Sequence, residues 1–187
     1  RPELADEIEA APDSVARIIE RIASDYDFIV VDTRCHLDNL LLALTDIAAR
    51  IVLVATPTLT GVKNAKFVLD LFDRMDYPAE KIVFVLNKVD EDRSKNRGTI
   101  PTESIEKYLH RSADGRIPNN EAPILAAVNK GVPVVVTQRD HKQSPGRELL
   151  DLADHGYAVL NDGALDDLDA DPAKARKSGL GLRLGKN

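Results

Sequence analysis

Ile82-Val83-Phe84-Val85-Leu86-Asn87-Lys88 sets apolar, largely β-branched and aromatic residues in an unbroken row and ends them abruptly on an amide and an ammonium. An alternating run would bury one face. A continuous run of this length is how a strand reads when both of its faces are covered, as in a parallel sheet. Phe28-Ile29-Val30-Val31, Ile51-Val52-Leu53-Val54 and Val132 to Val136 repeat the pattern and are expected to be strands as well. Between them, apolar residues return at helical spacing: Val15, Ile18, Ile19 and Ile22, then Leu37, Leu40, Leu41 and Leu44, then Val62, Ala65, Leu69 and Phe72. Asp90 to Thr102 reads as a polar loop before a helix carrying Ile105 and Leu109. Ser144-Pro145 reads as the N-cap and first-turn proline of a helix with Leu149, Leu150 and Ala153. Strands that alternate with helices require right-handed crossovers. The expected fold is therefore α/β, a doubly wound and mostly parallel sheet with helices on both faces.

Composition narrows the classes further. A chain of 187 residues with 43% hydrophobic content is large enough for one domain with its own core. The net charge of −6 speaks against a body that grips nucleic acid by bulk charge, and no specific nucleic-acid partner is expected. Cys35 stands alone, so no internal disulfide can form, and a reducing cytoplasm is the expected compartment. No apolar run approaches the roughly 18–20 residues of a membrane span. Residues 1–160 are expected to form the body. Residues 161–187, acidic from Asp162 to Asp171 and basic from Lys174 to Lys186, are expected to be a flexible tail. Met75 is the single methionine and the first residue is Arg1, so an upstream part is expected to be missing.

In open α/β sheets ligands bind beyond the carboxyl ends of the strands. The polar residues that end each strand are therefore the candidates. Asp32 follows Phe28-Ile29-Val30-Val31, and four apolar residues then Asp is the Walker-B pattern, whose carboxylate holds Mg2+ directly or through a coordinated water. The plainer reading is an Asp that caps the next helix. Asn87, followed by Lys88, offers an amide that both donates to and accepts from a purine edge. The string Asn87-Lys88-Val89-Asp90 also matches the Asn-Lys-x-Asp guanine motif, while an Asn at a strand end often serves only its own backbone. Against guanine, Asp32 is followed by Thr33-Arg34-Cys35 and not by the Asp-x-x-Gly of GTPase switches. Ile117-Pro118-Asn119-Asn120 precedes a helix with Ile124, Leu125 and Val128 and is suited to one wall of a base pocket; the bland alternative is a loop proline before an Asn cap. No Gly-x-x-x-x-Gly-Lys-Ser/Thr occurs, so these residues alone hold no cradle for β- and γ-phosphates. His36, His110, His141 and His155 show no zinc-ligand spacing.

The order of these motifs resembles the MinD/ParA deviant-Walker ATPases, and within them the CpaE/TadZ branch, from about Arg1 to Ala153. It rests on Tyr26-Asp27-Phe28 through Asp32-Thr33, Thr56-Pro57-Thr58 through Lys66, Tyr77-Pro78, Leu86-Asn87-Lys88, Ile117-Pro118-Asn119-Asn120, Asn129-Lys130-Gly131 and Ser144-Pro145. The resemblance implies an ATP- and Mg2+-dependent homodimer that positions machinery at the membrane or cell pole, for this branch a pilus or secretion apparatus. It implies that Asp32 is the catalytic and Mg2+-holding acid, that Asn87 with Lys88 meets adenine, and that Ile117, Pro118 and Asn119 close over the base. The phosphate-binding loop and switch I would lie upstream. The family's usual Asp-Thr-Pro-Pro is replaced by Asp32-Thr33-Arg34-Cys35. The leucines and cations of the tail allow a peripheral membrane contact, although Gly179, Gly181 and Gly185 weaken any helix there. A localisation scaffold of the same fold without turnover is the alternative outside the enzymes.

Overall fold

A computed structural model describes residues 12–34, 36–90, 98–137 and 142–170, with side chains of the last helix described as far as Leu160. Arg1 to Asp6, Cys35, His141, most of the loop after Asp90 and the basic end of the tail lie outside the described residues. The chain divides into two compact units, Arg1–Ile51 and Val52–Asn187.

The first unit is a helix pair. Helix α1 (Pro12–Ile22) runs into a 3-10 turn at Ala23–Asp25, and α2 (Asn39–Ile47) packs against α1. Helix α2 starts where it does because Asp38 caps it: its Oδ1 accepts the Leu41 N–H at 2.8 Å and its carbonyl accepts the Leu42 N–H at 3.1 Å. Leu37, placed by spacing on this helix, therefore stays outside it. The buried Thr45 keeps its hydroxyl satisfied on the Leu42 carbonyl, 2.9 Å away. The expected first strand is absent here: Phe28-Ile29-Val30-Val31 carries neither strand nor helix, and Val30 is 93% exposed. An apolar run becomes a strand only when a neighbouring segment pairs with it in a continuous ladder.

The second unit holds the sheet. Its elements are β1 (Ile51–Ala55, whose first residue closes the first unit), α3 (Leu59–Arg74), β2 (Ile82–Val89), α4 (Thr102–Leu109), β3 (Gly115–Pro118), α5 (Glu121–Lys130), α6 (Val134–Thr137) and α7 (Gly146–Ala170). The strand order is β1-β2-β3, with β2 and β3 parallel. Strand β2 is central and fully buried from Ile82 to Leu86, as its continuous apolar run requires. Val83 and Val85, with Ile117 of β3, meet Leu149 and Leu152 of α7 on one face. Ile82, Phe84 and Leu86 alternate onto the other. Helix α3 buries Val62, Ala65, Leu69 and Phe72, the stripe its spacing predicts. Strand β1 is less covered than expected: Val52 and Val54 are exposed while Ile51 and Leu53 are half-buried, so one of its faces remains open.

Helix α3 also depends on a close approach. A Cβ on Gly61 would stand 2.5 Å from the Thr56 carbonyl oxygen. The Thr56-Pro57-Thr58 turn folds back there so that the Thr58 hydroxyl accepts the Gly61 N–H at 3.1 Å. Only glycine leaves room for that cap.

Two segments differ from expectation. Val132 to Val136 is not a strand. Gly131, at φ 65°, ends α5 in the left-handed region, and the Val136 and Thr137 N–H groups donate to the Pro133 carbonyl at 3.0 and 3.2 Å. Local helical bonding thus takes the valines into α6. Conversely, Gly115-Arg116-Ile117-Pro118 is a strand that its composition conceals. Asp114 leads it into register, donating its N–H to the Phe84 carbonyl at 2.8 Å and accepting the Phe84 N–H on its carboxylate at 2.7 Å. Arg111 anchors the same region, donating to the Ala79 carbonyl at 3.0 Å and to that of Ile82. Helix α7 passes the residue 160/161 boundary without interruption.

Glu106 of α4 ties that helix to the approach of β3. Its carboxylate accepts the Ala113 N–H at 2.8 Å and an Arg116 N–H at 2.6 Å. Burial alone would raise its pKa, but these two hydrogen bonds and the Arg116 charge outweigh it and hold the group below its ordinary value of 4.5. A depressed carboxylate contributes stability above its unfolded pKa and loses it as pH falls through the folded one. The urea midpoint is therefore expected to fall as pH drops from neutral to below about 4.5. Glu106→Gln should flatten that acid limb and lower the midpoint at neutral pH; an unchanged slope in the variant would remove Glu106 from the acid response.

Candidate functional site

Strand β2 does not simply stop. Asn87 stands opposite Ile117 and Val89 opposite Pro118, which leaves Lys88 as an extra residue bulged out of the ladder. Lys88 has φ 60°, a left-handed conformation that costs a non-glycine residue about 1–2 kcal/mol. Its freed N–H donates to Oδ1 of Asn87 at 2.9 Å, so the amide of Asn87 closes the bulge. No partner for the Asn87 amide nitrogen is found among the described residues. Beyond Pro118 the chain is equally fixed. The Asn119 N–H donates to the Val89 carbonyl at 2.8 Å, the Asn120 N–H to the Pro118 carbonyl at 2.9 Å, and the Asn120 side chain to the Ser144 carbonyl at 3.1 Å.

These turns leave an open depression of about 320 Å3 at the carboxyl ends of β2 and β3, near the lower limit of the roughly 300–1,000 Å3 typical of small-molecule sites. Asn87, Lys88, Ile117, Pro118 and Asn119 all line it, so the structure gathers in one place the five residues singled out along two separate motifs. Ile124, Leu125 and Val128 of α5, together with Pro145, supply an apolar wall. Their helical spacing signals a common face, but nothing in the sequence says that this face turns toward the depression and not the core. At the mouth the Lys88 ammonium lies 3.4 Å from the Glu121 carboxylate, an exposed pair worth at most about 1 kcal/mol. The depression sets an apolar wall against the polar side chains of Asn87, Lys88, Asn119, Asn120 and Glu121, a combination that suits an aromatic heterocycle with a polar edge.

Asp90, the last residue of the guanine-like string, does not line the depression. Its two carboxylate oxygens are engaged, one by the Asn119 side-chain amide at 3.3 Å and the other by the Thr99 hydroxyl at 3.0 Å.

Asp32 belongs to the first unit and is exposed, in the segment between the 3-10 turn and α2. Among the described residues no group of three or more His, Cys, Asp or Glu side chains could hold a metal ion. A single carboxylate still suits Mg2+, which keeps several waters and takes its remaining oxygens from phosphates. No helix among the described residues is long and apolar enough to cross a membrane.

No family model matches the chain. It is 25% identical over 124 residues to the septum site-determining protein MinD of Thermotoga maritima, covering 66% of this chain and 45% of that protein. The chain thus spans about half the length of the curated relatives it matches. Among solved structures it is similar to a ParA family ATPase from Chlorobium tepidum, with a TM-score of 0.66 and 26% identity over 76% of this chain and 56% of that one. It is also similar in fold to MinD of Pyrococcus horikoshii complexed with Mg-ADP, with a TM-score of 0.62 and 19% identity over 77% of this chain and 56% of that one. The chain is therefore similar, at low identity, to MinD/ParA P-loop ATPases, and it has their α/β fold with a parallel sheet flanked by helices.

Proposed function

We propose that this chain is the base-binding part of an ATP-dependent positioning ATPase of the MinD/ParA kind, working on a pilus or secretion apparatus. The observation that carries the base-binding reading is the depression in which Asn87, Lys88 and the Ile117-Pro118-Asn119 turn meet at the carboxyl ends of two parallel strands. In this reading adenine lies in the apolar slot, the Asn87 amide meets its polar edge, and Pro118 covers a ring face. The role assigned to Asp32 is to hold Mg2+, directly or through a water. A relative in fold is complexed with Mg-ADP, which supports the choice of ligand. The cargo and an ATP-dependent homodimer are what the CpaE/TadZ resemblance implies, and the leucines and cations between Lys174 and Lys186 allow a peripheral membrane contact. The engaged carboxylate of Asp90 weighs against a GTPase.

The test is direct. Adenosine is expected to bind the chain weakly, near millimolar, as measured by ligand-observed saturation-transfer NMR. Because these residues carry no phosphate cradle, ATP should bind within about threefold of adenosine. Asn87→Ala should weaken both by at least about tenfold, since in this reading it removes the amide that meets the polar edge of the base. Undiminished binding by that variant would place the base elsewhere.

A further inference from the structure

The string Asn87-Lys88-Val89-Asp90 presents a problem of specificity that the fold resolves. Guanine carries N1–H and N2–H2 donors side by side, and a carboxylate facing them selects it strongly. Adenine has an acceptor at N1 and no amine at C2, so the same carboxylate would repel it. This chain has the carboxylate at the right place in its sequence.

The structure withdraws it. The bulge at Lys88 shifts the register, so Val89 lies opposite Pro118. The Asn119 N–H then binds the Val89 carbonyl at 2.8 Å, which brings the Asn119 side chain to Asp90. Its amide nitrogen takes one oxygen of Asp90 at 3.3 Å, and Thr99, from the start of the segment leading into α4, takes the other at 3.0 Å. Asn87, Lys88 and Asn119 line the depression while Asp90 does not. We propose that Thr99 and Asn119 are specificity-determining residues, which hold the Asp90 carboxylate away from the base and so keep a guanine-like sequence selective for adenine. The inference rests on the base-binding reading of this depression. Thr99 acts through Asp90 without touching the ligand and is a positioning residue.

The experiment measures the ratio of guanosine to adenosine affinity of the 187-residue chain by saturation-transfer NMR. Thr99→Val with Asn119→Ala frees both oxygens of Asp90 and is expected to raise the ratio by at least about tenfold. Adding Asp90→Ala should abolish the gain, a reversal that a merely structural role of Thr99 and Asn119 would not produce. Should the double variant fail to melt cooperatively by circular dichroism, Thr99→Val alone is read in the same way, with a rise of about threefold expected. An unchanged ratio, or a gain that survives Asp90→Ala, overturns the inference while leaving the base site standing. A parent chain that binds neither nucleoside overturns both.

Discussion

Replacing Asp32 by alanine is expected to lower Mg2+-dependent ATP hydrolysis by about a hundredfold or more in the nucleotide-hydrolysing protein of which this chain is proposed to be a part. The expectation follows from the chemistry of the ion. Mg2+ demands near-octahedral oxygen coordination and dehydrates reluctantly, so one fixed carboxylate, or one carboxylate accepting from a coordinated water, sets its position against the phosphates. Alanine removes both possibilities. Asparagine keeps an acceptor oxygen without the charge and should fall between the two. Asp32 is exposed in the first unit, so neither change should move stability by more than about 0.5 kcal/mol. A loss of turnover at constant urea midpoint thus reports the ion and not the fold. The measurement is steady-state phosphate release against Mg2+ concentration. Turnover equal to that of the parent would remove the role given to Asp32, and the departure at Thr33-Arg34-Cys35 from the usual Asp-Thr-Pro-Pro would then mark a different switch.

What the sequence discloses depends on whether a segment's fate is local or shared. Strand β2 is legible because five consecutive apolar residues have no amphipathic alternative, and the stripe of α3 because four apolar residues fall on one helical face. The polar ends of β2 and β3 are legible as candidates because chemistry in an open parallel sheet belongs at carboxyl ends, and their five residues do meet in one depression. Val132 to Val136 misleads because β-branched residues carry a strand preference that cannot register a left-handed glycine just upstream and a proline carbonyl within the run. Phe28 to Val31 misleads because pairing is a property of two segments, and a single run does not state whether a second accepts it. Strand β3 is hidden for the opposite reason: in four residues with Gly at one end and Pro at the other, Ile117 alone favours a strand, yet the Asp114 side chain and backbone carry it into register. The site shows the same divide. Asn87 and Pro118 can be named from sequence as candidates, whereas the bulge at Lys88 and the engagement of Asp90 by Asn119 and Thr99 are consequences of register, which no single run of residues encodes.

Phe84→Ala is expected to be the most destabilising substitution in the second unit, by about 3–5 kcal/mol. Phe84 is wholly inaccessible, and its backbone N–H and carbonyl are both committed to Asp114, so the strand has little freedom to move into the vacated space. Against a net stability of about 5–15 kcal/mol for a domain, that loss removes a large share of the folded population's margin. With a urea dependence of about 1–3 kcal/mol per molar, the midpoint should fall by more than about 1 M. Leu125→Ala supplies the contrast. Leu125 is 60% exposed and lines the depression, so its removal should leave the urea midpoint nearly unchanged and weaken adenosine by about threefold through lost apolar contact. The two variants separate the core that builds the sheet from the wall proposed to receive the base. If Leu125→Ala lost stability as Phe84→Ala does, the α5 face would be a part of the core, and the apolar slot at the end of β2 would have no free wall to offer a ligand.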